Sequence, residues 1–316
     1  MRAGSAKIAR LRAAAGLVVA VAVGTAGLVA AAGGGDAQGV STRPNIILIT
    51  TDDQTAASLA VMKRVQNLLV RQGTSFENNI ISFPLCCPSR ATWITGQYAH
   101  NHGVIDNQER NGGGYESLRD PGDVLAVWMD RAGYDTALIG KWLHDYRTLD
   151  PAPGWDRFNA LTSPTMTFYY DYEITDSRGG KTSYGETDRD YQTDVLTRDY
   201  ALPYIRAHAS DPDPFFLHVS YIAPHWGRGR DRSDGGRCAN GRPFAFETAK
   251  AKPAPREIRR FSHLALPMPK SFNEDNMADK PGAVRGRKKL SDRAIADLTE
   301  RYQCASSRAC SRSTRG

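Results

Sequence analysis

Two cysteines stand side by side in "FPLCCPSRATWITG", Cys86 and Cys87, just ahead of Pro88 and Arg90, in a chain of 316 residues with only 5 cysteines. Adjacent cysteines bridge each other only with strain. A metal site, a bridge to distant cysteines and a chemically special thiol are therefore the uses left open. Pro88 is favoured at the first position of a helix, so "PSRATWIT" is expected to start one, with both cysteines at its N-terminal end. At that end the macrodipole and the free N–H groups favour negative charge. A nucleophile and a bound oxyanion both gain from the position.

Three apolar runs end in other residues suited to chemistry. "NIILITTDD" carries a continuous apolar run, Ile46 to Ile49, and ends at Asp52 and Asp53; "GYDTALIGKW" ends at Gly140–Lys141; "PFFLHVSYIAPH" is stopped by Pro224, with His225 just beyond. Runs without alternation read as parallel strands covered on both faces. Between them, "SLAVMKRVQNLLVRQG", with an apolar face through Leu59, Met62 and Leu69, and "GDVLAVWMDRAG", with Leu125, Trp128, Met129 and Ala132, read as crossover helices ending at Gly73 and Gly133. Alternating strands and helices imply an α/β fold, a mostly parallel sheet with helices on both faces. Ligands bind beyond the carboxyl ends of such strands, where Asp52, Asp53, Lys141 and His225 would emerge together.

The remaining chain is less regular. Asp145 to Tyr200 reads as loops and short strands near the pocket mouth, and the Tyr169–Tyr172 cluster reads as packing. Gly227 to Lys289 is loop-like, Leu290 to Tyr302 returns to a helical pattern, and residues 303–316 form an irregular tail. His100 and His102 lack a third soft ligand at suitable spacing and are expected to hydrogen-bond within their loop.

Residues 1–32 carry Arg2, Lys7, Arg10 and Arg12 ahead of an uncharged run from Ala13 to Ala32, the pattern of an export signal, with an uncleaved membrane anchor as the lesser reading. Residues 33–43 read as a linker and 44–302 as the catalytic domain. The net charge of +7 resides in the ends of the chain. Without the four leader cations and Arg308, Arg312 and Arg315 the body is formally neutral, so charge gives no support to a nucleic-acid groove.

"CCPSR" followed by Thr95–Gly96 resembles the sulfatase signature, and the likeness extends over roughly Pro44 to Tyr302. "PNIILITTDDQ" is similar to the family's opening strand with its metal-binding aspartates, "GYDTALIGKW" to its lysine segment and "APH" to its later histidine segment. "PGWDRF" (Pro153–Phe158) and "YQTDVL" (Tyr191–Leu196) are similar to the glucosamine-6-sulfatase branch, which acts on glycosaminoglycan sugars. The resemblance implies an alkaline-phosphatase/sulfatase-like fold and a sulfuric ester hydrolase acting on a sulfated carbohydrate. It also implies that Cys86 is oxidised to formylglycine by a formylglycine-generating enzyme that reads Pro88 and Arg90.

Elementary chemistry agrees with those roles. Asp52 and Asp53, with the modified Cys86, would bind Ca²⁺ through oxygen. Arg90 would hydrogen-bond the hydrated aldehyde, Lys141 the sulfate, and His225 would protonate the leaving alcohol. Many sulfatases read G-K-W-H, whereas here Leu143 intervenes and the candidate is His144. The later Asp-Asn-Gly segment that completes the family's metal site does not follow Tyr302, which reads as a C-terminal part missing. A related phosphoester or phosphonate hydrolase and a non-catalytic remnant are the alternative expectations.

Overall fold

The computed structural model describes residues 43–227, 251–257, 265 and 267–306. The export signal, the linker up to Thr42, Cys238 and Cys310 lie outside the described residues. Among the described residues no helix is long and apolar enough to cross a membrane.

Among the described residues six strands form one sheet in the order β1–β6–β2–β3–β4–β5. They are β1 (Ile46–Asp52), β2 (Asp135–Lys141), β3 (Arg157–Leu161), β4 (Tyr172–Thr175), β5 (Lys181–Tyr184) and β6 (Phe215–Pro224). β1, β6, β2 and β3 run parallel, and β4 and β5 add an antiparallel edge. The mostly parallel α/β architecture is as expected.

Strand alternation divides the core in two. On one face Leu138, Phe158, Ala160 and Phe216 pack with Ala91 and Ile94 of the Cys86–Thr95 helix and Ala126 and Val127 of the Leu125–Arg131 helix. On the other, Ala137, Ile139, Leu217 and Val219 pack with Val195, Leu196, Ala201 and Tyr204 from the helical run Gln192–Val195, Leu196–Ala201 and Leu202–His208. The central strands are thus covered on both sides.

Four expectations are corrected. Among the described residues β1 is an edge strand whose Ile47 and Ile49 stay exposed, so its apolar run is not covered there on both faces. The segment after it is helical as expected, but in short pieces, Ala56–Val61, Lys63–Val65 and Gln66–Val70, rather than one regular helix, and its apolar face is not buried, since Leu68 and Leu69 stay exposed. The Leu125–Arg131 helix buries Ala126 and Val127 and leaves Trp128 38% exposed, a face rotated by about one position. At the C-terminal end a helix runs Asp292–Ser306, past the start assigned to an irregular tail.

Candidate active site

β1, β6 and β2 end side by side against the first turn of the Cys86–Thr95 helix. That helix starts two residues earlier than expected, at Cys86. Pro88 fits within it because the first N–H groups of a helix have no internal partner. Gly96 closes it in the left-handed conformation.

Consecutive strand residues point to opposite faces, so two adjacent carboxylates need a break in the strand to serve one site. Here β1 and β6 are in register up to Thr50 opposite Ser220, then a bulge brings Asp52 opposite Pro224. Asp53 follows at φ 58°, a left-handed position that Asp tolerates better than most residues. Asp52 is buried, the Asp53 side chain is 57% exposed, and His225 Nε2 lies 3.5 Å from Asp53 Oδ2.

The two oxygens of Asp52 have different partners. Oδ2 accepts from Lys141 Nζ and lies 3.5 Å from Arg90 Nη2, while Oδ1 is 3.7 Å from Cys86 Sγ. Arg90 is fixed further by Nη1, which donates to the Lys141 carbonyl at 2.9 Å and to Ser220 Oγ at 2.8 Å. Burial opposes ionisation of Asp52, but Arg90 and Lys141 outweigh it and hold the carboxyl below its ordinary range. Burial pushes the Cys86 thiol up, with Asp52 and Asp53 adding to the effect against Lys141 and Arg90. Cys86 is therefore a thiol rather than a ready thiolate.

Lys141 reaches Asp52 although it is fully buried, and Gly140 is the local reason. Gly140 sits at φ +113°, and a Cβ there would meet the Ser220 carbonyl oxygen at 2.1 Å. Only glycine lets β2 approach β6 at this point and turn Lys141 toward the cluster. His225 is held from both sides. Its carbonyl accepts from Tyr169 Oη at 2.8 Å, and its Nδ1 is 2.5 Å from the Trp226 carbonyl, which makes Nδ1 the protonated nitrogen and leaves Nε2 facing the aspartates.

The structure thus brings Asp52, Asp53, Cys86, Arg90, Lys141 and His225 together. His144 lies beside them with its Nδ1 buried and without a hydrogen-bond partner among the described residues. Burial, then Lys141 and Arg90, push its imidazole down to about 3, so it is neutral. Cys87 is a packing residue: it is fully buried, its N–H donates to Asn107 Oδ1 at 2.8 Å, and burial pushes its thiol up to about 11. Both cysteines are free thiols. His102 is satisfied locally, by Thr92 Oγ1 and the Val104 N–H, each at 3.1 Å.

Sequence reasoning missed the polar support behind Arg90. Thr50 Oγ1 lies 3.0 Å from His218 Nε2 and donates to Ser220 Oγ at 3.3 Å. The signal was present as His218 and Ser220 two apart on one face of an otherwise apolar strand, where buried polar groups need partners.

The sequence profile of the sulfatase family matches residues 44–261. The chain is 33% identical over 284 residues to an arylsulfatase of Volvox carteri, covering 85% of this chain and 41% of that one. It is 33% identical over 195 residues to an N-acetylglucosamine-6-sulfatase of Homo sapiens, covering 58% and 34% of the two chains. A solved structure described as a complex with its substrate D-glucosamine-2-N,6-O-disulfate aligns with a TM-score of 0.51 at 25% identity, over 72% of this chain and 39% of that one. The chain spans less than half the length of these relatives.

Proposed function

Because this chain belongs to the sulfatase family, we propose that it hydrolyses sulfate monoesters of amino sugars, with Cys86 converted to formylglycine as the nucleophilic residue. The observation that carries this reading is the meeting of Cys86 with Asp52, Arg90 and Lys141 at the mouth of a parallel sheet. The amino-sugar assignment rests on the N-acetylglucosamine-6-sulfatase relatives and on the glucosamine disulfate bound by the structural neighbour.

The residues present have the right chemistry for the two groups the family implies. Asp52 Oδ1 and Asp53 supply hard oxygen donors of the kind Ca²⁺ takes, as part of its usual six to eight ligands. Bound there, Ca²⁺ would supply positive charge against the sulfate oxygens. A hydrated aldehyde at Cys86 would supply a hydroxyl nucleophile and a second hydroxyl through which sulfate is later released.

The chain's own residues do the rest. Arg90, anchored on Ser220 and the Lys141 carbonyl, presents a fixed guanidinium beside residue 86. Lys141 adds a second cation in a dry setting where charge is weakly screened. His225, with its Nδ1 proton anchored on the Trp226 carbonyl, holds Nε2 where an imidazolium can pass its proton to the leaving alcohol. Residues 44–302 carry this site, residues 1–32 act as an export leader and 33–43 as a linker, and the substrate is met outside the cell. The maturation partner is a formylglycine-generating enzyme.

The test is to produce the full chain with that maturation enzyme and examine the Cys86 peptide by mass spectrometry. Sulfate release is then measured from 6-sulfated glucosamine and from an aryl sulfate with Ca²⁺ present. Aldehyde at residue 86, with sulfate release lost in Cys86→Ala and largely kept in Cys87→Ala, is expected. An unmodified thiol after co-expression, or equal loss in both variants, would overturn the assignment.

A further inference from the structure

Before any conversion, residue 86 is a thiol, and with sulfur in that place the cluster offers a mixed donor set rather than oxygen alone. One donor atom each from Asp52, Cys86 and His225 lie within 4.8 Å of one another, a sulfur, a nitrogen and an oxygen. Ca²⁺ selects oxygen; a thiolate and an imidazole together suit Zn²⁺ and its neighbours in the first transition row.

The geometry points to a Zn²⁺ site in the unconverted chain, formed by Cys86 Sγ, His225 Nε2 and Asp52 Oδ1, with Asp53, which lies against His225 but outside that three-residue cluster, turning in as the fourth donor. Two edges of the required tetrahedron already exist. Zn–S and Zn–O bonds of about 2.3 and 2.0 Å at the tetrahedral angle set S and O about 3.5 Å apart, and N and O about 3.3 Å apart. Cys86 Sγ is 3.7 Å from Asp52 Oδ1, and His225 Nε2 is 3.5 Å from Asp53 Oδ2.

Independent features prepare the donors. His225 Nδ1 faces the Trp226 carbonyl at 2.5 Å, the outer hydrogen bond that metal-binding imidazoles make, which leaves the Nε2 lone pair for an ion. That lone pair faces a carboxylate oxygen, and a cation between the two acceptors turns a repulsive contact into an attractive one. On Asp52, Lys141 and Arg90 occupy Oδ2, so Oδ1 is the oxygen turned to the sulfur. On binding, the thiol proton passes to solvent and sulfur keeps its electron pair for the metal, with no change of oxidation state.

This goes beyond the hydrolase reading and does not require it. Where the two meet, they exclude each other: a sulfur bound to Zn²⁺ is shielded from oxidation, and a residue converted to aldehyde has no sulfur to bind.

The experiment uses the full chain made without a maturation enzyme, carrying Cys238→Ser, Cys304→Ser and Cys310→Ser so that other thiols do not contribute. Titration with Co²⁺ should give one equivalent of thiolate-to-cobalt charge-transfer absorption, displaced by Zn²⁺ and not by Ca²⁺. Cys86→Ala should abolish it, His225→Ala should weaken binding by at least about tenfold, and Cys87→Ala should leave it in place. A second measurement needs no change at the site: Zn²⁺, unlike Ca²⁺, should slow alkylation of Cys86 by at least about tenfold, read from its peptide by mass spectrometry. Absorption that persists in Cys86→Ala, or alkylation indifferent to Zn²⁺, would overturn the proposal. Neither readout depends on sulfate release, so failure of the hydrolase reading would be seen separately.

Discussion

β1 and β2 are strands of equal length, 7 residues each, and each delivers a charged residue to the same cluster, yet their surroundings are opposite. β2 lies between β6 and β3, and every residue after Asp135 is buried. Among the described residues β1 lies at the sheet edge, pairs only with β6, and keeps Ile47 and Ile49 exposed. The central strand supplies a fixed cation, Lys141, and the edge strand supplies the acidic pair, of which Asp53 reaches solvent. A cation held in place and a carboxylate at the rim suit a site whose permanent charge is rigid and whose ion or substrate enters from one side.

The largest effect should come from breaking the central contribution. Lys141→Met leaves Asp52 buried without its nearest cation, with Arg90 at 3.5 Å as the main remaining balance. Removing one partner of a buried pair costs about 3–5 kcal/mol, which urea denaturation would show. Adding Asp52→Asn to that variant should recover much of the loss, since the uncompensated charge is gone. Failure of the double variant to recover would mean that Lys141 acts mainly by packing. Next in size is Leu138→Ala, fully buried on β2, with an expected loss of about 2–5 kcal/mol by the same measurement.

A smaller effect separates the strands by pH. His218, on central β6, is held neutral by burial and then by Arg90, which push its imidazole from 6.5 down to about 3. The unfolded chain binds the proton first, so the stability from a neutral His218 is complete above about pH 6.5 and is lost as pH falls toward about 3. The slope approaches about 1.4 kcal/mol per pH unit for one such group. His144, also pushed down to about 3, adds a second group with the same window, and His102, lowered by burial and then by Arg119, adds a third in the same direction. Asp52 has the opposite chemistry and a lower window: its contribution is present above 3.8 and lost only as pH falls below that value. His218→Leu should therefore lower the slope between neutral pH and about pH 5 by up to about 1.4 kcal/mol per pH unit and leave the share of the other histidines in place. An unchanged slope would show that His218 is not buried in neutral form.

Much of this arrangement was legible in the sequence because it follows from strand ends. Asp52, Lys141 and His225 each close an apolar run, and a parallel sheet brings such ends together whatever the loops between them do. What could not be read was strand order and exposure. Ile46 to Ile49 looks the same whether the strand is central or at an edge, since the apolar pattern records what a strand could bury and not which neighbours it has. The Ser220–Thr50–His218 support was hidden for a related reason, because these partners meet across 168 residues or more. Gly140 looked like punctuation at a strand end; its positive φ and the close approach of Ser220 become visible only once β2 lies against β6.

The smallest effect tests the other half of the comparison. Ile49 is 55% exposed and points to the face where Ile47 is also uncovered. Ile49→Thr keeps the β-branch that suits a strand and removes apolar surface that gains little from folding. At about 25 cal/mol per Å² of area actually buried, the loss should stay under about 1 kcal/mol. It should be clearly smaller than that of Leu138→Ala under the same denaturation conditions. A loss of about 2 kcal/mol or more would mean that this face of β1 is covered in solution, and that the edge strand is as central to the folded protein as β2.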